Sequence, residues 1–388
     1  MANGLEKLCY REKSEVFIQI LEGMKQNPNT LHLFSWTDKP FHYLVDADTS
    51  AMLIQLHEDQ WKFDSLFQQF SEFGKKQILQ SVLIDEVFST NEIEQIFSTR
   101  HDIFTVLEQC SKSEDPKIMS VVNGYRYLLE EGKTELRSLP DIRTIYDAVL
   151  AETLDPKDLP DGIWFRKEPV QITNGIKTIH SGFYPEESIN RGMQEYLDVI
   201  HYSGLDVYER MFLGHFLLEV IHPYYDGNGR LGRFLMTAGL YSETGSYSAF
   251  FITTALNQNR SKYYQALADA QKPHQFGFLN QYVLEIGNLF HQECQKQITY
   301  LQKQKEQMDR LQFDKERFTK SELRILRVLA EGTLLSLYGT SYPEIMNYAS
   351  VSKRTVITAM NKLRRMNLLK DTKFGKVVYH KLNLQEIG

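Results

Sequence analysis

The sequence predicts a mainly α-helical fold: a helical bundle with one β-hairpin, a helical N-terminal extension and a C-terminal winged helix. Three observations carry this. Residues 207–221 (VYERMFLGHFLLEVI) are apolar on nearly every side, with Met211, Phe212, Leu213, Phe216, Leu217, Leu218, Val220 and Ile221. Such a helix belongs in the middle of a bundle. Residues 170–181 (VQITNGIKTIHS) form two short strand-like runs around Asn174-Gly175, a pair that accepts the positive backbone angles of a tight hairpin turn. From Phe318 the pattern becomes three helices and then two strands, the order of a winged helix-turn-helix.

Taken in order, residues 1–115 read as mostly helical. Within them, 61–73 (WKFDSLFQQFSEF) place Phe63, Leu66, Phe67, Phe70 and Phe73 near helical spacing. A further amphipathic helix is predicted over 118–129, while Pro140 and residues 154–162 read as loops. Helices resume at Pro185, include one from about 231 to 241, and continue to about Arg310. The last stretch, 292–310, is long and polar and is expected to connect. In the tail, Leu323, Ile325, Leu326, Val328 and Leu329 mark one helix, 342–348 a second, and 352–366 a third with Ser352 as N-cap. Residues 368–382 form a two-stranded wing turning near Phe374-Gly375. The expected domains are 1–115, 116–310 and 315–388.

Composition bounds the class. The 388 residues are 42 % hydrophobic and 24 % charged, ordinary for a globular protein. Cys9, Cys110 and Cys294 are far apart and form no CxxC pair, so neither a zinc site nor a disulfide framework is expected. The N-terminus lacks the apolar core of a signal peptide, and no apolar run approaches the roughly 20 residues of a membrane span. A cytoplasmic protein without a membrane partner is the expectation. Net charge is −6, unevenly spread: residues 315–388 hold 14 Lys+Arg against 6 Asp+Glu, or +8, leaving 30 against 44, or −14, elsewhere. Lys353, Arg354, Lys362, Arg364, Arg365, Lys370, Lys373 and Lys376 supply a basic face that could track DNA phosphates. A protein-docking role for the same tail stays open.

The chemistry concentrates in 222–233, HPYYDGNGRLGR. A buried helix ends at Pro223, a loop with two glycines follows, and a new helix begins. Backbone N–H groups at a helix N-terminus make an anion cradle. Gly227 and Gly229 let the backbone approach a phosphate, and Arg230 and Arg233 offer guanidinium groups to phosphate oxygens. Asp226 suits a magnesium ion bridging phosphates. His222 suits proton abstraction from an attacking hydroxyl. Together they describe a phosphoryl- or nucleotidyl-transfer site. Two other readings compete. GNGRLG, Gly227 to Gly232, also fits GxGxxG, but that fingerprint needs a preceding strand in a βαβ unit, and an apolar helix precedes it here. The stretch could also be a polar loop with solvated arginines, which the joint occurrence of these residue types disfavours.

This segment closely resembles the Fic signature HPFxDGNGRxxR, with Tyr224 in place of phenylalanine. Tyr263-Tyr264 within NRSKYYQAL resembles the family's NRxxYYxxL segment, which walls the adenine site. The hairpin residues Thr178, Ile179, His180 and Ser181 stand where the family keeps a flap that docks the target. The resemblance covers 1–310 and implies a Fic bundle that moves AMP from ATP to a protein hydroxyl, releasing pyrophosphate. It implies His222 as base, Asp226 as Mg²⁺ ligand, and Asn228 with the Gly227–Gly229 backbone as holders of the α- and β-phosphates. Arg230 would contact phosphate and Arg233 the γ-phosphate, with Leu231 and Gly232 completing the ATP-binding stretch.

Thr90 and Glu94 resemble the family's inhibitory motif, (S/T)xxxE(G/N), with Gln95 where glycine or asparagine is usual. The resemblance implies that Glu94 takes Arg233 from the γ-phosphate. The alternative is a helix start, since Ser89 and Glu92 also have capping-box spacing. Three functions remain open from sequence: an adenylyltransferase restrained by Glu94, a de-AMPylase using a Glu94-oriented water, and a nucleotide-sensing DNA-binding regulator. The oligomeric state is open, a homodimer included.

Overall fold

The computed structural model describes residues 5, 9, 11–12, 14–36, 39–109, 116–132, 135–150, 153–173, 178–272, 275–374 and 377–386. Two compact units are present, one formed by residues 1–60 and 85–294 and the other by 61–84 and 295–388.

The first unit opens with α1 (Ser14–Lys25) and an antiparallel hairpin, β1 (Thr30–Trp36) and β2 (Lys39–Leu44). The helices that follow are α2 (Ala47–Phe67), α3 (Glu72–Ile93), α4 (Arg100–Gln109), α5 (Pro116–Glu131) and α6 (Leu139–Leu150). A second hairpin, β3 (Gln171–Thr173) with β4 (Thr178–Ser181), precedes α7 (Glu186–Ile200), α8 (Val207–Ile221) and α9 (Asn228–Thr244). Then come α10 (Ile252–Gln258), α11 (Arg260–Ala270) and α12 (Asn280–Arg310). The division between units falls within α2, α3 and α12.

The predicted central helix is α8, buried on almost every side. Its first turn is closed by a capping box: the Asp206 side chain accepts from Tyr208 N at 3.0 Å and Asp206 N donates to Glu209 Oε2 at 2.9 Å. Glu209 is itself buried and takes the Tyr43 hydroxyl at 2.6 Å, so the first hairpin holds the start of α8.

The second unit contains α13 (Lys320–Leu335), β5 (Thr340–Ser341), α14 (Tyr342–Tyr348), α15 (Lys353–Arg365), β6 (Leu369–Phe374) and β7 (Val377–Leu382). The strands form a sheet of order β5-β7-β6. Ser352 caps α15, accepting from Thr355 N at 3.2 Å. Ile325, Leu329, Ile345, Val356, Met360 and Leu363 pack with Phe73 in one core.

Several expectations need correction. Residues 1–115 are mostly helical as expected, but the β1–β2 hairpin within them was not predicted. Its aromatic residues read equally well as a helix face. The 61–73 stretch is not one helix: α2 stops at Phe67 and α3 starts at Glu72, although Phe63, Leu66, Phe67, Phe70 and Phe73 are all buried. Pro140 is not in a loop but in the first turn of α6, where a missing N–H costs nothing. The start of α9 is Asn228, earlier than the predicted 231. The turn residues Asn174-Gly175, and Cys110, Gly375 and Lys376, lie outside the described residues. Among the described residues no helix is long and apolar enough to cross a membrane.

Asp206 caps the helix whose far end is His222. Replacing it with alanine is expected to lower stability by about 1 kcal/mol, read as a lower urea midpoint at unchanged slope.

Candidate active site

The motif forms a helix–loop–helix. At its start, α8 ends on His222, which adopts a left-handed conformation (φ 53°, ψ 63°) while its N–H still bonds Leu218 O at 2.8 Å. The chain thus turns sharply at the candidate base and leaves its side chain half-buried. The loop is stapled by Asn228, whose Oδ1 accepts from Tyr224 N and whose Nδ2 donates to Tyr224 O, both at 2.9 Å. Tyr224 is fully buried and stacks on Tyr146 at 3.6 Å between ring centres. The Tyr146 hydroxyl donates to Asp226 O at 3.1 Å. Gly227, at φ 82°, is the N-cap of α9 and supplies no side chain to cap its first turn. That turn contains Asn228, Gly229 and Arg230.

Sequence reasoning missed Arg166. It is fully buried, yet its guanidinium serves three backbone carbonyls: His222 O at 3.0 Å, Phe183 O at 2.8 Å and Glu168 O at 2.6 Å. Burial pushes its pKa down to about 10. It ties the motif loop to the segment leaving β4. Phe183 N also donates to Ile221 O at 2.9 Å. Gly182 makes this approach possible, since a Cβ there would lie 2.5 Å from Arg166 Nη2 and 3.1 Å from His222 Cβ. An arginine directly after Ile163-Trp164-Phe165 was the available signal.

Arg233 is 1 % exposed. Its Nε donates to Thr90 Oγ1 at 3.1 Å and its Nη2 to Glu94 Oε1 at 2.5 Å. Burial pushes the Glu94 carboxyl up, but Arg233, by charge and hydrogen bond, with Arg230 and His222 adding, holds it below the usual carboxylate range. Burial pulls Arg233 the other way, and Glu94 with neighbouring Tyr263 and Glu219 keeps it firmly protonated. The pair is therefore charged on both sides at neutral pH. A Cβ on residue 229 would lie 2.5 Å from Glu94 Oε1, so Gly229 is what lets the carboxylate reach across α9.

The helix-start alternative for residues 89–94 is overturned. They are the end of α3, not a beginning: Ser89 donates to Thr254 Oγ1 at 3.3 Å, and Glu92 accepts from Asn257 at 2.5 Å. Gln95 has φ 57°, Ile96 N donates to Asn91 O at 2.9 Å, and Gln95 N donates to Glu92 O at 3.1 Å. Those two bonds make a Schellman C-cap with Gln95 at its left-handed position. Glycine or asparagine suits that backbone best, which gives a physical reason for the residue usual in the inhibitory motif.

The remaining predicted residues divide. Asp226 has a half-exposed side chain near Arg230, whose Nη2 lies 3.3 Å from its Oδ2. Arg230 is nearly buried and also donates to Thr153 Oγ1 at 2.9 Å. The Asn228 side chain is engaged by the loop backbone through Oδ1 and one bond from Nδ2. The residue can offer an anion its backbone N–H. Leu231 and Gly232 are buried in α9, and a Cβ on Gly232 would meet His215 Nδ1 at 2.8 Å. Tyr263 cannot line an open adenine surface: it is 1 % exposed and its hydroxyl meets His215 Nε2 at 2.8 Å. Tyr264, 46 % exposed, can. The backbone of Thr178, Ile179, His180 and Ser181 forms β4, which ends two residues before Phe183, the Arg166 partner. In the second unit, Lys353, Arg354, Arg365, Lys370 and Lys373 are exposed, whereas Lys362 pairs with Glu322 at 3.0 Å and Arg364 with Asp371 at 2.9 Å.

Residues 137–240 match the model of the Fic/DOC family, so this stretch is a Fic domain. A probable protein adenylyltransferase of Aquifex aeolicus (strain VF5) is 29 % identical over 177 residues, which are 42 % of this chain and 48 % of that protein. The chain thus spans about half the length of this curated relative. A solved Fic family protein from Desulfovibrio desulfuricans G20 has a TM-score of 0.57 at 16 % identity, covering 88 % of this chain and 97 % of its own. A fragment of Fic-1 from C. elegans has a TM-score of 0.51 at 18 % identity, covering 78 % and 82 %. These structures share the fold.

Gln95→Gly is expected to relieve the left-handed strain and raise stability by about 1 kcal/mol. A differential thermal-unfolding comparison checks it, and an unchanged or lower Tm would contradict the C-cap assignment.

Proposed function

We propose that this protein is a protein adenylyltransferase restrained by Glu94. The observation that carries the reading is the Fic-domain loop itself. A half-buried histidine, an exposed aspartate and an uncapped helix N-terminus adjoin within twelve residues, and an arginine one turn on is held by a carboxylate from another helix. The name of the Aquifex relative points the same way.

In this reading the first-turn N–H groups of α9 take the phosphates of ATP, where the helix dipole favours negative charge. A target hydroxyl, aligned along β4 by strand addition, attacks the α-phosphorus. The new oxygen–phosphorus bond forms as the bond to the bridging β-oxygen breaks. Pyrophosphate leaves, and His222 receives the hydroxyl proton. The backbone that carries His222 is fixed by Arg166, so the base is placed before substrate arrives.

Asp226 fits a nucleotide-borne magnesium ion. Magnesium takes one or two carboxylates and completes its shell with phosphate oxygens and water. Asp226 is one exposed carboxylate beside the phosphate end of α9, and among the described residues no cluster of three or more ligating side chains exists. When bound, the ion would neutralise charge on the leaving pyrophosphate.

Glu94 occupies the guanidinium face that a γ-phosphate needs. Charge-assisted hydrogen bonds are worth about 1.5–3 kcal/mol, so the restraint corresponds to roughly ten- to hundredfold. The test is AMP incorporation from ATP labelled at the α-phosphate, with magnesium, read on the protein itself and on added protein. Glu94→Gly should raise incorporation by that factor, and adding Arg233→Ala should cancel the gain. His222→Ala should lower it by about 10²–10⁴-fold with ATP binding retained, and Asp226→Ala should lose the magnesium-dependent activity. No incorporation by Glu94→Gly would reject the transferase reading. Incorporation equal to wild type would reject the restraint alone.

A further inference from the structure

Two helices meet along a polar ladder that the motif does not explain. Along α3 and its C-cap, Glu86, Thr90 and Glu94 recur at i, i+4 and i+8, on one face. Along α9, Gly229, Arg233 and Thr237 recur in the same way. The rungs run in opposite order: Thr237 Oγ1 donates to Glu86 Oε1 at 2.8 Å, Arg233 to Thr90 at 3.1 Å, and Arg233 to Glu94 over Gly229. Only the last two rungs belong to the resemblance drawn from sequence.

Glu86 is fully buried, and one oxygen collects three hydroxyls. Besides Thr237 on α9, Tyr125 on α5 donates at 2.9 Å and Thr253 on α10 at 2.7 Å. Its other oxygen, Oε2, is buried and meets no donor among the described residues. Burial outweighs the three hydroxyls and the charge of Arg233 and leaves the carboxyl raised to about 7. Packing alone does not ask for a carboxylate here, since an apolar side chain of similar volume is often neutral or better for stability. What a converging polar cluster adds is register. Apolar faces tolerate sliding by a turn, about 5.4 Å. A carboxylate moved away from all its donors is left buried and unpaired, which opposes the slide.

We propose that Glu86, held by Thr237, Tyr125 and Thr253, is the positioning residue that fixes α3 in the register at which Glu94 meets Arg233. The strength of inhibition then depends on this remote rung as well as on the ion pair. The inference rests on the reading of Glu94 as inhibitory.

The test uses the full chain and AMP incorporation with Mg-ATP, with Tm measured in parallel. Thr237→Val removes one donor at nearly constant shape and should raise incorporation roughly two- to tenfold. Glu86→Leu should raise it further, up to the level of Glu94→Gly. Glu86→Gln keeps an acceptor for the hydroxyls and should retain inhibition. In a Glu94→Gly background none of the three should add activity. A purely structural role would lower Tm and activity together, and would not give a rise that vanishes without Glu94. Should Glu86→Leu fail to fold, Thr237→Val decides. If Glu94→Gly is activated but Thr237→Val and Glu86→Leu are not, the register role is wrong while inhibition stands. Additional activation in the Glu94→Gly background would also overturn it. If Glu94→Gly itself is not activated, the inhibitory reading falls and takes this inference with it.

Discussion

Arg233 is buried to 1 % exposure, and a buried guanidinium has to be paired. Much of the site's arrangement follows from that requirement. In this structure the counter-charge is Glu94. A ligand that displaces Glu94 must bring comparable negative charge to the same place, and a phosphate does. In the function proposed above, one electrostatic demand makes Arg233 both an anion receptor and the anchor of a restraint. It also dictates Gly229, because any side chain there would occupy the path by which the carboxylate arrives.

A second constraint acts on the backbone. The loop between α8 and α9 buries Pro223 and Tyr224, and polar groups fix the backbone around them. Asn228 closes it onto Tyr224, the Tyr146 ring clamps Tyr224 from one side, and Arg166 reaches the carbonyls of Glu168, Phe183 and His222. A neutral side chain could not serve three acceptors from one point. The fork of the guanidinium can. The left-handed turn at His222 is affordable only inside such a frame, since this conformation costs a non-glycine residue about 1–2 kcal/mol.

The parts of this arrangement legible in the sequence are those carried by local pattern. The bounds of α8, the hairpin of β3 with β4, and the three helices and β6–β7 wing after residue 318 follow from periodicity and turn residues close in the chain, whereas the two-residue β5 does not. The motif was legible because its chemistry is contiguous. Tertiary facts were not. The β1–β2 hairpin has aromatic and histidine residues that a helix would carry equally well. The break between Phe67 and Glu72 is invisible to a spacing that stays in phase on both sides. Arg166 and Glu86 look like surface charges in a sequence, and only folding shows that all their partners except Glu168 come from residues 17 to 167 positions away. Tyr263 and Tyr264 are adjacent and alike, yet helix geometry sends one to His215 and the other to solvent.

The end of α3 shows how these contributions balance. A carboxylate at a helix C-terminus opposes the helix dipole, by about 0.3–1 kcal/mol. Gln95 in a left-handed conformation opposes the same ending by a similar order. Both terms push against the geometry that presents Glu94, and neither would be tolerated for packing alone. They are opposed by the hydrogen bonds of Arg233 to Thr90 and Glu94, and by the hydroxyls gathered on Glu86 two turns earlier. A restraint built this way is held firmly along the helix and least firmly at its tip, where Glu94 keeps 30 % of its side-chain exposure. In the proposed function the tip is also where an incoming phosphate would compete. The helix can therefore stay docked through Glu86 while Glu94 alone gives way, so that exchange of carboxylate for phosphate need not unfold the element that carries it.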